Sequence, residues 1–361
     1  MRSTLLQASS GLATSAWHQI NWAACQRRVR SLQRRLVQAV QAGAWRKVKR
    51  LSYLLVHSFA ARALAVKRVI ENKGKKTPGI DGELWDSPKK KAEAVVRIGR
   101  WRGYQPQPLK RIYLSKKNGK QRPLSIPVME DRARQAVYLQ TLEPIAETLA
   151  DRNSYGFRPK RRCADAIDQC FKVLSQKDSA TWILEGDIQG FFDHIAFPWI
   201  EEHIPMNKRL LAQWLRCGFS DRGTLYPTTA GVPQGGLISP VISNRVLDGL
   251  EQVVCGSWRF RRRHNLHSVR WADDVRHITW RQIPFTERRG TEDKTSGSTT
   301  YLEAKAEGDS SMSLKRSTAE GGYGVAPQDP RDTVRALLPK PQFPAMEAYI
   351  PCPQRLLAGS P

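Results

Sequence analysis

The chain is short of acid. Against 59 Lys and Arg it sets only 33 Asp and Glu, a net charge of +26 over 361 residues. A surplus of that size repels itself unless it meets a polyanion, which narrows the partners to nucleic acid or an anionic membrane surface. Long apolar runs are missing too. None approaches the ~20 residues that cross a bilayer, and Met1 to Trp17 holds no continuous apolar core of the length a secretory leader needs. No membrane is therefore expected. The six cysteines form no Cys-x-x-Cys pair and no metal-finger spacing. That argues against structural zinc and predicts reduced thiols in a cytoplasmic protein. The length suffices for two domains, or three small ones.

What the chain does have is three carboxylates in strand-like settings. Asp187 lies near the exit of Trp182–Ile188, a β-rich alternating run, and Asp273-Asp274 lie in Val269-Arg270-Trp271-Ala272-Asp273-Asp274-Val275. The second stretch, through Thr279, predicts a tight β-hairpin with the Asp pair at its tip. Between the two lies a turn, Gly231-Val232-Pro233-Gln234-Gly235-Gly236, leading into a helix with Val241, Ile242, Val246 and Leu247. Carboxylates brought together from separate strands of a basic protein predict a two-cation site for phosphoryl transfer. Two Mg²⁺ ions roughly 4 Å apart serve the attacking and the departing oxygens, and Mg²⁺ takes hard oxygen ligands. Asp187, Asp273 and Asp274, with the Ile188 carbonyl, form the predicted ligand set. Neighbouring strand residues face opposite sides, so Asp273 is expected to bind directly and Asp274 partially.

Residues 17–72 read as helical. Cys25, Val29, Leu32, Leu36 and Val40 recur at steps of three and four, while Arg27, Arg28, Arg30, Arg34 and Arg35 crowd the rest. A second stretch repeats the pattern with Val48, Leu51, Leu55, Phe59, Ala63 and Val66. Such helices are either solvated amphipathic packing units or a basic face lying along RNA phosphates. Lys73–Gly82 is a turn-rich basic loop, and Asn118-Gly119 between apolar runs predicts a hairpin over 111–124. Helices are expected over 131–150, 164–174 and onward to about 218, with a loop at Ser154–Pro159. Past Trp280 the composition turns to Ser, Thr, Gly, Glu and Pro without apolar periodicity, which predicts a largely disordered tail over 281–361.

Several motifs in this order resemble the reverse transcriptase/maturase proteins encoded by bacterial group II introns. They are Trp17-His18-Gln19-Ile20-Asn21-Trp22, Thr77-Pro78-Gly79-Ile80-Asp81-Gly82, Lys120–Pro127, Ser154-Tyr155-Gly156-Phe157-Arg158-Pro159, Asp187–Asp193 and Gly231–Pro240, ending at Asp274. The resemblance covers about three quarters of the chain. It implies an α+β right-hand polymerase: a basic helical extension over 1–72, fingers and palm over 73–280, and a tail over 281–361. It implies RNA-directed DNA synthesis with Asp187, Asp273 and Asp274 as catalytic carboxylates. Lys116 or Lys117, with Arg122, would hold the incoming dNTP. Phe192 would be a steric gate against a 2′-hydroxyl, and Gln234 would sit against the new base pair. The implied partners are group II intron RNA, bound in part by Arg27, Arg28, Arg30, Arg34 and Arg35, and a primer-template.

Two departures stand out. Trp271 occupies the place of the family's hairpin tyrosine. After Asp274 the family continues with an apolar strand such as Phe-Val-Ile, then a thumb and a maturase domain, which this chain is expected to lack. With codons GTT-CGT-CAT-ATH, Val275-Arg276-His277-Ile278 read one base later gives Phe-Val-Ile, so a frameshift after Asp274 is expected. With no thumb, impaired synthesis is expected. A non-catalytic, splicing-assisting RNA-binding protein and an inactive remnant stand as alternatives.

Overall fold

The computed structural model describes residues 16–115, 119, 121–175, 182–188, 190–263, 265–279 and 346–348. The chain forms two compact units, Met1–Leu149 with Phe197–Arg245, and Ala150–Ala196 with Val246–Pro361.

In the first unit, helix α1 (Trp22–Gln41) starts where the Asn21 side chain accepts from Ala24 N. The five expected apolar positions, Cys25 to Val40, are all buried. The second apolar stretch is two helices, α2 (Trp45–Val56) and α3 (Phe59–Glu71). Ser58 caps α3 by accepting from Ala61 N at 3.1 Å. That new start resets the helical phase, and Phe59, expected inside, is 51% exposed. Helix α4 (Pro88–Arg97) follows a Ser87 cap with Pro at its first turn. Helix α5 (Met129–Leu149) is buried nearly all round, as a core helix must be. Helices α1 to α5 share one hydrophobic core, so packing does not pause at residue 72.

Arg132 on α5 shapes the basic loop of residues 73–77. Its guanidinium donates to the carbonyls of Pro127, Gly74 and Thr77 at 2.7, 3.1 and 2.6 Å.

The first unit also holds a four-stranded sheet. Strands β1 (Leu109–Ser115) and β2 (Gln121–Ile126) pair antiparallel, as expected. Pro123 is tolerated because β2 is an edge strand. Strands β4 (Phe219–Asp221) and β5 (Thr224–Tyr226) extend the sheet in the order β2-β1-β4-β5. This pair was not expected. Its two-residue turn is Arg222-Gly223, with φ of 51° and 91°, the left-handed pair such hairpins require. Helices α8 (Phe197–His203) and α9 (Lys208–Leu215) complete this unit, and α10 (Ser239–Leu247) follows the glycine-rich turn.

Asp131 is buried behind this sheet at 2% exposure. It accepts from the Tyr104 hydroxyl and from Gln107 N, and Trp214 Nε1 donates to the same hydroxyl at 2.9 Å. Burial pushes the carboxyl up to about 6, against the pull of those donors. A raised carboxyl pKa favours the protonated folded state. Its stabilising share is whole below the unfolded value near 4 and is lost as pH rises through 6. Urea unfolding of the parent chain should therefore lose roughly 2.5 kcal/mol more between pH 4 and 7 than that of Asp131→Asn. Parallel pH profiles would exclude a strained carboxylate here.

The second unit is built on the sheet β6-β7-β3-β8: β3 (Trp182–Ile188), β6 (His267–Trp271), β7 (Asp274–Thr279) and β8 (Met346–Ala348). All neighbours are antiparallel. The tail was expected to be largely disordered; within it, β8 pairs with β3, Met346 opposite Ile188. The rest of 281–361 lies outside the described residues. Helices α6 (Cys163–Leu174), α7 (Phe191–His194), α11 (Leu250–Cys255) and α12 (Trp258–Arg263) complete this unit. Among the described residues no helix is long and apolar enough to cross a membrane.

Candidate active site

The predicted carboxylate hairpin is present. Trp271 and Asp274 are its last paired residues, and Ala272-Asp273 make the two-residue turn. Asp273 is half-buried and Asp274 exposed. On the neighbouring strand, Gly186 pairs with Val275. One further step along that register sets Asp187 opposite Asp274. The Asp187 side chain lies outside the described residues, whereas Ile188 is buried. Among the described residues no three His, Cys, Asp or Glu side chains gather at one point. Two carboxylates at the turn, with a third on the adjoining strand, are of the hard-oxygen type a divalent cation takes.

Ala272 takes a φ of +58°, which a residue with a Cβ rarely does without outside support. The support is the Ser154–Pro159 loop. Tyr155 N donates to Arg270 O and Arg270 N donates to Asn153 O, both at 2.8 Å. Gly156 lies against the turn so closely that a Cβ there would meet Ala272 N at 2.4 Å and Trp271 C at 2.9 Å. Its own φ is ordinary, so space rather than conformation demands glycine. Gly156→Ala should lower unfolding stability by about 1–3 kcal/mol; an unchanged urea midpoint would mean that the loop does not press on the turn.

Beneath the turn, the Arg270 guanidinium donates to Ala272 O at 3.1 Å and pairs with Asp248 at 3.3 Å. Both side chains are buried, at 3% and 2% exposure, and burial lowers the guanidinium's pKa despite Asp248. Glu251 ties in the neighbouring segments. It accepts from Asn153 N and Nδ2 and pairs with Arg261 at 2.8 Å. Arg261 Nε also donates to Leu266 O, next to β6. Asp248, Glu251, Asn153 and Arg270 were not foreseen as site residues. The one available sign was a charge at Arg270 inside an apolar strand run.

Trp271 packs with the Tyr155, Ala166 and Val269 cluster, so the indole lies against the Ser154–Pro159 loop and α6. Phe192 is half-buried and meets Phe157 and Phe191 edge-on, with ring centroids 6.2 and 5.6 Å apart. Its neighbour Phe191, at 2% exposure, is the core aromatic of the pair.

In the first unit the structure joins two predicted nucleotide contacts. Arg122 Nε donates to Gln234 Oε1 at 2.8 Å across 112 residues of chain. Ser125 N donates to Gln234 O at 2.7 Å. Gly235, at φ +119°, lies so near Ser125 O that a Cβ would meet it at 2.4 Å. Gln135 Oε1 accepts from Leu237 N and fixes the other end of the turn. Lys116 and Lys117 lie outside the described residues. Arg27, Arg28, Arg30, Arg34 and Arg35 are all exposed on α1.

Two family models match the chain: the N-terminal domain of reverse transcriptase over residues 17–98, and reverse transcriptase (RNA-dependent DNA polymerase) over 114–280. The chain belongs to the reverse-transcriptase family, with its α+β fold. Protein YkfC of Escherichia coli K12 is 34% identical over 204 residues, 53% of each chain. The group II intron-encoded protein LtrA of Lactococcus lactis subsp. cremoris is 32% identical over 199 residues, 53% of this chain and 33% of its own. This chain thus spans between a third and about half of these relatives. A solved Cas6-RT-Cas1–Cas2 complex aligns over 64% of this chain and 39% of its own, at 18% identity and a TM-score of 0.37.

Proposed function

We propose that this chain is the RNA-directed DNA polymerase of a group II intron, extending a DNA primer on an RNA template. The observation that carries this is the Ala272-Asp273 turn opening on Asp274, beside the strand that bears Asp187, inside the matched polymerase segment. Asp187, Asp273, Asp274 and the Ile188 carbonyl would hold two Mg²⁺ ions. Cations held by these residues would supply the charge that lowers the pKa of the primer hydroxyl and offsets that of the departing pyrophosphate. The chain's own residues bind and orient. Gln234 takes the Nε–H of Arg122, which leaves the two terminal nitrogens to fork onto the dNTP triphosphate, assisted by Lys116 or Lys117. Phe192, only half-buried, would fill the space a 2′-hydroxyl needs.

The exposed arginines of α1 support intron RNA as the bound partner. They also favour a second reading, an RNA-binding splicing assistant that does not polymerise. The thiols of Cys25, Cys163 and Cys217 are free, which supports a reducing, cytoplasmic setting. Primer extension on an RNA template, with dNTPs and then rNTPs, tests the polymerase. The parent chain should use dNTPs, and Phe192→Ala should admit rNTPs with selectivity reduced roughly a hundred-fold, the effect of about 3 kcal/mol of steric exclusion. Intron RNA bound without any incorporation would leave the splicing assistant.

A further inference from the structure

Helix α12, Trp258-Arg259-Phe260-Arg261-Arg262-Arg263, divides its residues between two tasks. Arg261 is committed to structure through Glu251 and Leu266 O. Phe260 is half-buried, and its Cδ1 would lie 3.2 Å from a Cβ on Gly256. Trp258, Arg259 and Arg262 are exposed. Trp258 is 68% exposed, more than any other large apolar side chain among the described residues. The Arg262 guanidinium lies 5.4 Å from its ring centroid. Between Leu250 and Arg263 the sole carboxylate is Glu251, which is buried and paired with Arg261. The outer side of this segment thus carries cations and an indole face with no exposed acid on the segment itself.

We infer that Trp258, Arg259 and Arg262 form a binding site for single-stranded RNA, separate from the carboxylate hairpin. The indole offers a stacking platform that any unpaired base fits, and the two guanidiniums take flanking phosphates. Charge decides the occupant: an apolar protein partner would have to strip water from two arginines, whereas a phosphate backbone uses both. Arg261 ties this helix to Leu266, and β6 spans five residues from His267 to Trp271. At ~3.3 Å per residue, the strand sets Leu266, the point where this helix is tied, roughly 16 Å from the turn. The site needs neither metal nor dNTP, so it stands independently of the polymerase reading.

The test is fluorescence anisotropy of the full chain with a labelled 12-nucleotide oligouridine, without Mg²⁺ or dNTP, over a range of salt. Trp258→Ala should weaken binding about ten-fold and Trp258→Phe should restore most of it, with thermal unfolding unchanged. Arg259→Ala/Arg262→Ala should flatten the slope of log K against log salt by about 1.4, two phosphate contacts' worth. Ultraviolet crosslinking to 4-thiouridine RNA should mark the tryptic peptide Val246–Arg259. Unchanged affinity and slope, or no crosslink on that peptide, would overturn the site. So would a lowered unfolding midpoint in Trp258→Ala without crosslinking, which would mean that the indole is covered by this chain itself.

Discussion

Replacing Asp273 and Asp274 together by alanine should slow dNTP incorporation by at least about a thousand-fold, while RNA affinity holds or rises slightly. On the proposed reading, the rate effect follows from removing two carboxylates at the hairpin turn that would hold a cation, and with it several kcal/mol of transition-state charge stabilisation. The affinity effect has the opposite sign because two negative charges leave a protein of net charge +26. Primer extension and anisotropy on the same preparations separate the two. Incorporation at the parent rate would remove this hairpin from the chemistry, whatever its likeness to the family.

The second large effect is on stability. Asp248→Ala should cost about 3–5 kcal/mol in urea unfolding, because it leaves the Arg270 guanidinium buried at 3% exposure without its carboxylate. The same guanidinium holds Ala272 O under the turn, so the hairpin should loosen and primer extension should fall with it. Asp248→Leu/Arg270→Met, which removes both charges and keeps apolar volume, should recover most of the stability. Recovery of stability without recovery of extension would show that the polar contacts of Arg270, and not the stability they add, shape the turn. An Asp248→Ala chain as stable as the parent would mean that the pair contributes nothing.

Much of this was legible in the chain. The α1 core positions, β3, the β1–β2 pair and the β6–β7 hairpin followed from apolar period and turn chemistry, which are local properties. The α2–α3 break was not read, because a single serine cap outweighed a continuing apolar rhythm. The short β4–β5 pair escaped as well. Three-residue strands carry too little periodicity to register, and β4 exists because β1 offers it a parallel edge.

By itself, the sequence singled out the residues proposed to bear the chemistry: three aspartates at strand ends, a glycine-rich turn and a surplus of cations. Residue type and order are enough for that. Tertiary structure alone decided how those residues are held. The Ala272-Asp273 turn is backed by Gly156, Arg270 and Asp248, and Arg122 meets Gln234 across 112 residues of chain. Contacts of this kind depend on distances between segments far apart in sequence, and no local preference encodes them.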